Sequence, residues 1–314
     1  MSNLAQRILT AAVLLALFIP ALMISWPLPF LILTLLLISA AAWEWSRLIG
    51  WTGWRAWASG VVCVACAAGL HILNNHAVLN VFQGSRWPLV LNFIGIAFSA
   101  VCLFWIIGGP WLLWLGVARW PALPRWLRWG IGMVMLVVAW FALAAAYSQG
   151  VNFLLSVLAL VWAADIGAYA FGRALGGKLT GGRKLAPAIS PGKSWEGALG
   201  GFICVLLVGA IWMWFDSLPS NSRYPGVTPC SPLVPSLYTV LWRSSPILFL
   251  FGLAFLTAMS IVGDLFESLV KRAAGVKDSS QLLSGHGGVL DRIDALLPTL
   301  PLALLVNLLL ATIC

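Results

Sequence analysis

The sequence predicts an all-α polytopic membrane protein of about nine transmembrane helices, with its N-terminus cytoplasmic and its C-terminus on the outer side. Three observations carry this. Charged residues make up 9% of the 314 residues, against about 25% in a soluble domain, and the mean hydropathy is +0.98. Apolar runs of about 20 residues, the length that crosses a hydrocarbon core as helix, recur along the whole chain. The third observation is a lopsided distribution of cations. With nine spans, one side collects Arg7, Arg47, Arg55, Arg119, Arg125, Arg128, Arg173, Lys178, Arg183, Lys184, Lys193, Lys271, Arg272, Lys277 and Arg292, and the other only Arg86, Arg223 and Arg243. Cytoplasmic loops carry such an excess, which places the N-terminus and the polar loops in the cytoplasm.

The spans fall near 7–25, 28–46, 56–73, 89–108, 130–147, 150–173, 196–215, 246–268 and 295–313. The first run shows no convincing cleavage site and is followed by many others, so it reads as a retained helix rather than a signal peptide. The second ends in Trp43-Glu44-Trp45, where Glu44 is expected to pair with Arg47 at helical spacing. Cys63 and Cys66 form a CxxC inside the third, where small packing residues are a better reading than a metal site lacking a second ligand pair. The run Trp111–Ala118 is too short to cross and is bracketed by Pro and Arg, so it is expected at the interface. Trp26, Trp43, Trp45, Trp51, Trp54, Trp87, Trp126 and Trp129 fit interfacial belts. Asp216 lies in an outward Pro/Ser-rich loop and is expected to be solvated; Cys230 and Cys314 also fall towards that side. No polar interruption is long enough to fold as a soluble domain. Residues 1–314 form one membrane-embedded unit, with an N-terminal helical part (1–148) and a part carrying the chemistry (149–314).

Two segments hold seven of the nine acids. In 264–294 stand Asp264, Glu267, Asp278, Asp291 and Asp294, with Lys271, Arg272, Lys277, Arg292, His286 and the pair Gly287-Gly288. Charge beside a bilayer is costly, so a cluster this dense needs a reason. Asp264, Glu267, Ser268 and Lys271 have spacing i, i+3, i+4, i+7 and share one helix face. Asp291 and Asp294 sit at i, i+3 where the last span begins. Several hard oxygen donors with a single histidine suit Mg²⁺ rather than zinc. The second segment, 165–196, contributes Asp165 and Glu196. At 1.5 Å per residue Asp165 lies about 22 Å into its span, where it should face a polar cavity or a cation. Gly176, Gly177, Gly181 and Gly182, interleaved with Lys178, Arg183, Lys184 and Lys193, offer backbone amides and cations to a phosphate. Ser190 or Ser194 is placed to cap the following helix.

These residues resemble the CDP-diacylglycerol synthases (phosphatidate cytidylyltransferases). The matching stretches are Asp165-Ile166-Gly167-Ala168-Tyr169, Lys184-Leu185-Ala186-Pro187, Ser190-Pro191-Gly192-Lys193-Ser194-Trp195-Glu196-Gly197 and Gly263-Asp264-Leu265-Phe266-Glu267-Ser268. Further along come Lys271-Arg272, Lys277-Asp278, His286-Gly287-Gly288 and Asp291-Arg292-Ile293-Asp294. The match covers 160–201 and 262–298, with Trp43-Glu44-Trp45 as an N-terminal echo. Ile166 stands where that family usually has Ser or Thr, and Ser284 where it usually has Pro or Gly; neither removes a carboxylate or a lysine.

The resemblance implies transfer of a cytidylyl group from CTP to phosphatidate of the inner leaflet, with Mg²⁺ and K⁺ as a candidate second cation. It implies a multi-pass protein of the cell inner membrane whose active site faces the cytoplasm, working among membrane lipid. A homodimer is left open, and no nucleic-acid partner is implied. Asp264 and Asp291 are then the expected metal ligands, with Asp294 a third. Lys193, Lys271, Arg272 and Lys277 are expected on phosphates, and Asp165 helps hold the cation. His286 is expected to orient Asp278 or a phosphate. Lys184, Ser190, Ser194, Glu267, Ser268, Gly287, Gly288 and Arg292 complete the substrate-binding set. One rival, an ion-coupled transporter, calls for acids near the midplane on repeated halves, whereas these crowd one membrane face; the other is a related lipid nucleotidyltransferase or lipid kinase with another lipid acceptor.

Overall fold

The computed structural model describes residues 3–24, 26–73, 93–218 and 235–311. It is mostly helical: α1 (Asn3–Met23), α2 (Leu28–Leu48), α3 (Trp54–Leu73), α4 (Phe93–Leu103), α5 (Gly109–Leu115), α6 (Arg125–Gln149), α7 (Val151–Leu175), α8 (Trp195–Asp216), α9 (Leu237–Ser244), α10 (Pro246–Ala273), α11 (Leu290–Ile293) and α12 (Leu296–Ala311). Among the described residues seven helical stretches are long and apolar enough to cross a membrane. The apolar stretches Ala12–Met23 and Trp54–Leu70 are shorter. Arg86, Arg223, Cys230 and Cys314 lie outside the described residues, as does part of the expected 89–108 span. One departure from an all-α architecture is a two-stranded antiparallel hairpin, β1 (Lys184–Ala186) with β2 (Ser190–Ser194).

Local chemistry explains the joints. α6 and α7 are separated by the single residue Gly150, whose φ of 126° only glycine adopts without strain, so the chain reverses in one step. Ser194 begins α8 by accepting a hydrogen bond from Gly197 N at 3.1 Å. Ser245 does the same for α10 with Pro246 at the first helical position. α10 has 28 residues, about 42 Å of helix, which exceeds a hydrocarbon core of about 30 Å. Its last turns, which carry Asp264 to Arg272, therefore reach the polar zone.

α7 and α8 pack closely through small residues. A Cβ on Gly201 would meet Ala164 O at 2.7 Å, and one on Gly197 would meet Ala168 O at 2.9 Å; without side chains the backbones can touch. Gly167 likewise lies against Gly200 O and Cys204.

The centre of the molecule is aromatic. Phe266 of α10 is ringed by Trp45, Phe104, Trp105 and Trp120, with centroids 5.5 to 6.2 Å away. Trp45 is 1% exposed and donates to Arg128 O at 3.0 Å. It is a core residue, which corrects its assignment to an interfacial belt: its indole N–H finds a buried carbonyl, so the ring need not reach the headgroups. Trp26, Trp54 and Trp126 are exposed, in keeping with belts.

Three further expectations are corrected. The run Trp111–Ala118 is not a separate segment, because a π-helical turn at Phe104–Gly108 carries α4 directly into α5, which takes in Trp111 to Leu115. Asp216 is not merely solvated. It accepts from Asn152 Nδ2 at 3.0 Å, Ser236 Oγ at 2.6 Å and Thr239 Oγ1 at 2.6 Å, tying α7, α8 and α9 together. Glu44 does not pair with Arg47, whose guanidinium lies 4.8 Å from the Trp43 ring centroid.

Candidate functional site

The ends of α7, α8 and α10 and the hairpin enclose a cavity of about 620 Å³. Asp165 and Arg173 enter it from α7, Ser190, Lys193 and Ser194 from β2, and Asp264 from α10. The two polar segments of the sequence therefore meet here. The junction is a salt bridge, Lys193 Nζ to Asp264 Oδ2 at 2.6 Å, with both side chains partly open. Ser268 Oγ lies 3.4 Å from Asp264 Oδ1, so the helical spacing places them as expected. Asp165 takes no part in a salt bridge; it stands within electrostatic reach of Asp264, Lys193 and Arg292. Arg173, about two turns further along α7, donates to Tyr169 Oη at 2.9 Å.

Beside the cavity lies a second, denser network. Lys271 Nζ bridges Glu267 Oε2 at 2.5 Å and Asp291 Oδ1 at 2.6 Å. Asp291 Oδ2 also accepts from Ser279 N at 3.0 Å, Ser279 Oγ at 2.9 Å and Gly288 N at 2.7 Å. Underneath sits Glu44, fully buried, 235 residues from Ser279 in sequence. Its carboxylate accepts from Ser280 Oγ at 2.6 Å, Val289 N at 2.9 Å and Leu290 N at 2.7 Å, and lies 3.1 Å from Ser279 Oγ, whose single proton it shares with Asp291. The two amides belong to the start of α11, where backbone donors lack helical partners. Glu44 thus caps the helix that bears Asp291 and holds the connector to α2.

Glycines make this fit possible. A Cβ on Gly288 would lie 1.9 Å from Ser279 Oγ and 2.6 Å from Glu44 Oε1. On Gly263 it would strike Asp294 O at 2.5 Å and Pro298, so a bare backbone here lets α12 approach α10 and brings Asp294 beside Asp264.

The structure reassigns several expected roles. The loop amides of Gly177 and Thr180 are not left open for a phosphate: both donate to Glu196 Oε1, at 3.1 and 3.0 Å, as does Thr180 Oγ1 at 2.7 Å. Lys271 is held, half-buried, between two carboxylates and organises the site rather than presenting a free ammonium. Arg272 donates to Ile189 O at 3.3 Å, fastening the hairpin to α10. Arg292 donates to His286 O. His286 Nδ1 is buried and has no hydrogen-bond partner among the described residues. Lys184, Lys277 and Asp278 are exposed around the rim.

The donor set decides whether a divalent cation fits. Asp264 and Asp291 are paired with Lys193 and Lys271, and Asp165, Glu267 and Asp294 lie within electrostatic reach of the same groups. Glu267 Oε1 is buried and accepts no hydrogen bond. Among the described residues no group of three His, Cys, Asp or Glu side chains is placed to hold a metal ion by itself. Mg²⁺ would call on only one or two of these carboxylates, its remaining ligands coming from water and substrate phosphates. Asp291 is the least available of the expected ligands, since both its oxygens are already engaged. It could ligate a metal only once Lys271 releases Oδ1.

Sequence reasoning missed Glu44 with Ser279 and Ser280, and the clasp of Glu196 on the 177–180 loop. The available signal was the rarity of acids: each of nine carboxylates in so apolar a chain calls for a named partner.

Residues 5–310 match the model of the cytidylyltransferase family. The chain is 34% identical over 299 residues to a phosphatidate cytidylyltransferase of Pseudomonas aeruginosa, covering 94% of both chains. It is 45% identical over 155 residues to one of Haemophilus influenzae, covering 49% of this chain and 44% of the relative. Over 158 residues it is 38% identical to one of Staphylococcus haemolyticus, covering 50% of each.

Proposed function

The chain belongs to the cytidylyltransferase family, and from that premise we propose that it transfers the cytidylyl group of CTP to phosphatidate, forming CDP-diacylglycerol and pyrophosphate for phospholipid synthesis. The observation that carries the assignment to this site is the convergence of Asp165, Lys193 and Asp264 on one cavity at the ends of three apolar helices. A phosphate oxygen of phosphatidate attacks the α-phosphorus of CTP, and the bond to the β-phosphate breaks as pyrophosphate leaves. The attacking oxygen is already anionic at neutral pH, so no strong general base is required. The difficulty is holding two anions in line, which makes positioning and charge neutralisation the work of the protein.

Lys193 is the cation placed for this, at the start of α8 and on the cavity wall. In the salt bridge with Asp264 each neutralises the other; a substrate phosphate engaging Lys193 would leave the Asp264 carboxylate free to hold a cation. Asp264, with Asp294 beside it, would hold Mg²⁺, and Asp165 faces the same charge from α7. When bound with the nucleotide, the metal neutralises triphosphate charge and polarises the phosphorus. Lys271, Asp291 and Glu44 keep the connector in place, while Lys184 and Lys277 offer exposed ammonium groups at the rim.

The polar end of the bundle faces the cytoplasm of a bacterial inner membrane in this reading, with nine crossings in total. The split of 15 cations against 3 supports it, and so does chemistry, since CTP is a cytosolic anion. A thiol introduced at the exposed Gln281 should label from the cytoplasmic side only.

The enzymatic test uses purified protein with labelled CTP, phosphatidate and Mg²⁺. CDP-diacylglycerol should accumulate. No product, under conditions in which the Pseudomonas relative is active, would overturn the assignment.

A further inference from the structure

A second concavity, about 410 Å³ in volume, lies against the first. It runs between α5 and the β1–β2 hairpin, with Leu265 of α10 as part of its wall. None of its described lining residues is charged: Pro110, Leu113 and Trp114 form one side and the 185–189 segment the other. Ile189 and Leu265 are buried, whereas Trp114 is 80% exposed and opens the groove to the surroundings of the helix bundle.

The two spaces are registered to one another. Leu185 borders both. On α10, Asp264 faces the polar cavity and its neighbour Leu265 the apolar groove; on the hairpin, Ser190 faces the cavity and Ile189 the groove. Consecutive Cα atoms are about 3.8 Å apart. Anionic and apolar environments are thus separated by one residue on two different elements. An acceptor lipid presents the same step, from phosphate to ester-linked chain across a short glycerol. A nucleotide has no comparable apolar part, and its polar groups would be unmatched in the groove.

Resting on the function proposed above, we propose that this groove seats an acyl chain of the lipid phosphate acceptor, with the hairpin as the partition between headgroup and chain. Arg272, which holds Ile189 through its carbonyl, keeps that partition on α10.

The test uses phosphatidate carrying a photoreactive diazirine in its acyl chain, with the full-length protein in nanodiscs. Illumination should label residues 110–116 or 185–189, unlabelled phosphatidate should compete, and a phosphatidylcholine probe with the same chain should label them far less. Ala188→Trp should raise KM for long-chain phosphatidate roughly tenfold, leaving KM for CTP and for dibutanoyl phosphatidate within about twofold. Equal labelling by both probes would mean that the groove takes bystander lipid only. Labelling elsewhere, with the probe still converted to its CDP product, would overturn the groove assignment while sparing the activity. Absence of any conversion would bring down the functional reading, and this inference with it.

Discussion

Replacing Glu44 by Gln tests whether a buried carboxylate far from the cavity sets the geometry within it. In the native protein Oε1 accepts from Ser280 Oγ and Val289 N, and Oε2 from Leu290 N and the shared hydroxyl of Ser279. Gln keeps the volume and one carbonyl oxygen. Its NH₂ group turns donors against one backbone N–H and one serine hydroxyl, and since only the hydroxyl can rotate to accept, one or two of the four bonds are lost. Each lost bond to a buried donor costs about 1–3 kcal/mol. Allowing for relaxation of the serine hydroxyl, the connector should lose about 3 kcal/mol of its ordering. If that loss falls on the reactive geometry, kcat drops on the order of 100-fold, with KM for CTP changed less. Hydrogen exchange should show the amides of Val289 and Leu290 opening, while α6 and α7 stay protected. Glu44→Asp keeps the charge but shortens the reach, and it should lose nearly as much. Native exchange at 289–290 together with native kcat in Glu44→Gln would refute the account of Glu44 as a positioning residue.

Asp264→Asn and Lys193→Ala should each lower kcat/KM at least about 100-fold without loss of membrane insertion; near-normal rates in both would remove the cavity from the mechanism. Lys271→Met leaves the buried Glu267 and the half-buried Asp291 without their cation, a loss of up to about 3 kcal/mol, which should appear as a lower unfolding temperature in detergent as well as lost turnover. Gly288→Ala would place a methyl group 1.9 Å from Ser279 Oγ, so activity should collapse, whereas Gly130→Ala, where a Cβ meets nothing within 4 Å, should leave both stability and rate unchanged. At the opposite end of the bundle, Asp216→Asn should cost about 2 kcal/mol of thermal stability, yet leave kcat intact at temperatures where the protein remains folded.

Much of this protein is legible along the chain. Apolar runs of the right length locate the long helices, because crossing hydrocarbon is a local requirement met residue by residue. Helical periodicity places Asp264, Glu267, Ser268 and Lys271 on one face of α10, and their contacts follow it. The motif stretches identify the family, and the family model then matches nearly the whole chain. What an isolated segment cannot contain is the identity of a distant partner. Lys193 meets Asp264 and Glu44 meets the connector only after loops of about 70 and 235 residues have closed. Which side chains then face one another depends on how the helices rotate and approach. Bare glycines at 201, 263 and 288 set those approaches, and no periodicity encodes them. Hence Lys271 turned out to be the clamp between Glu267 and Asp291, while Glu44 became the support beneath them. Composition announced that charge had to be neutralised; only the packed bundle determined by which groups.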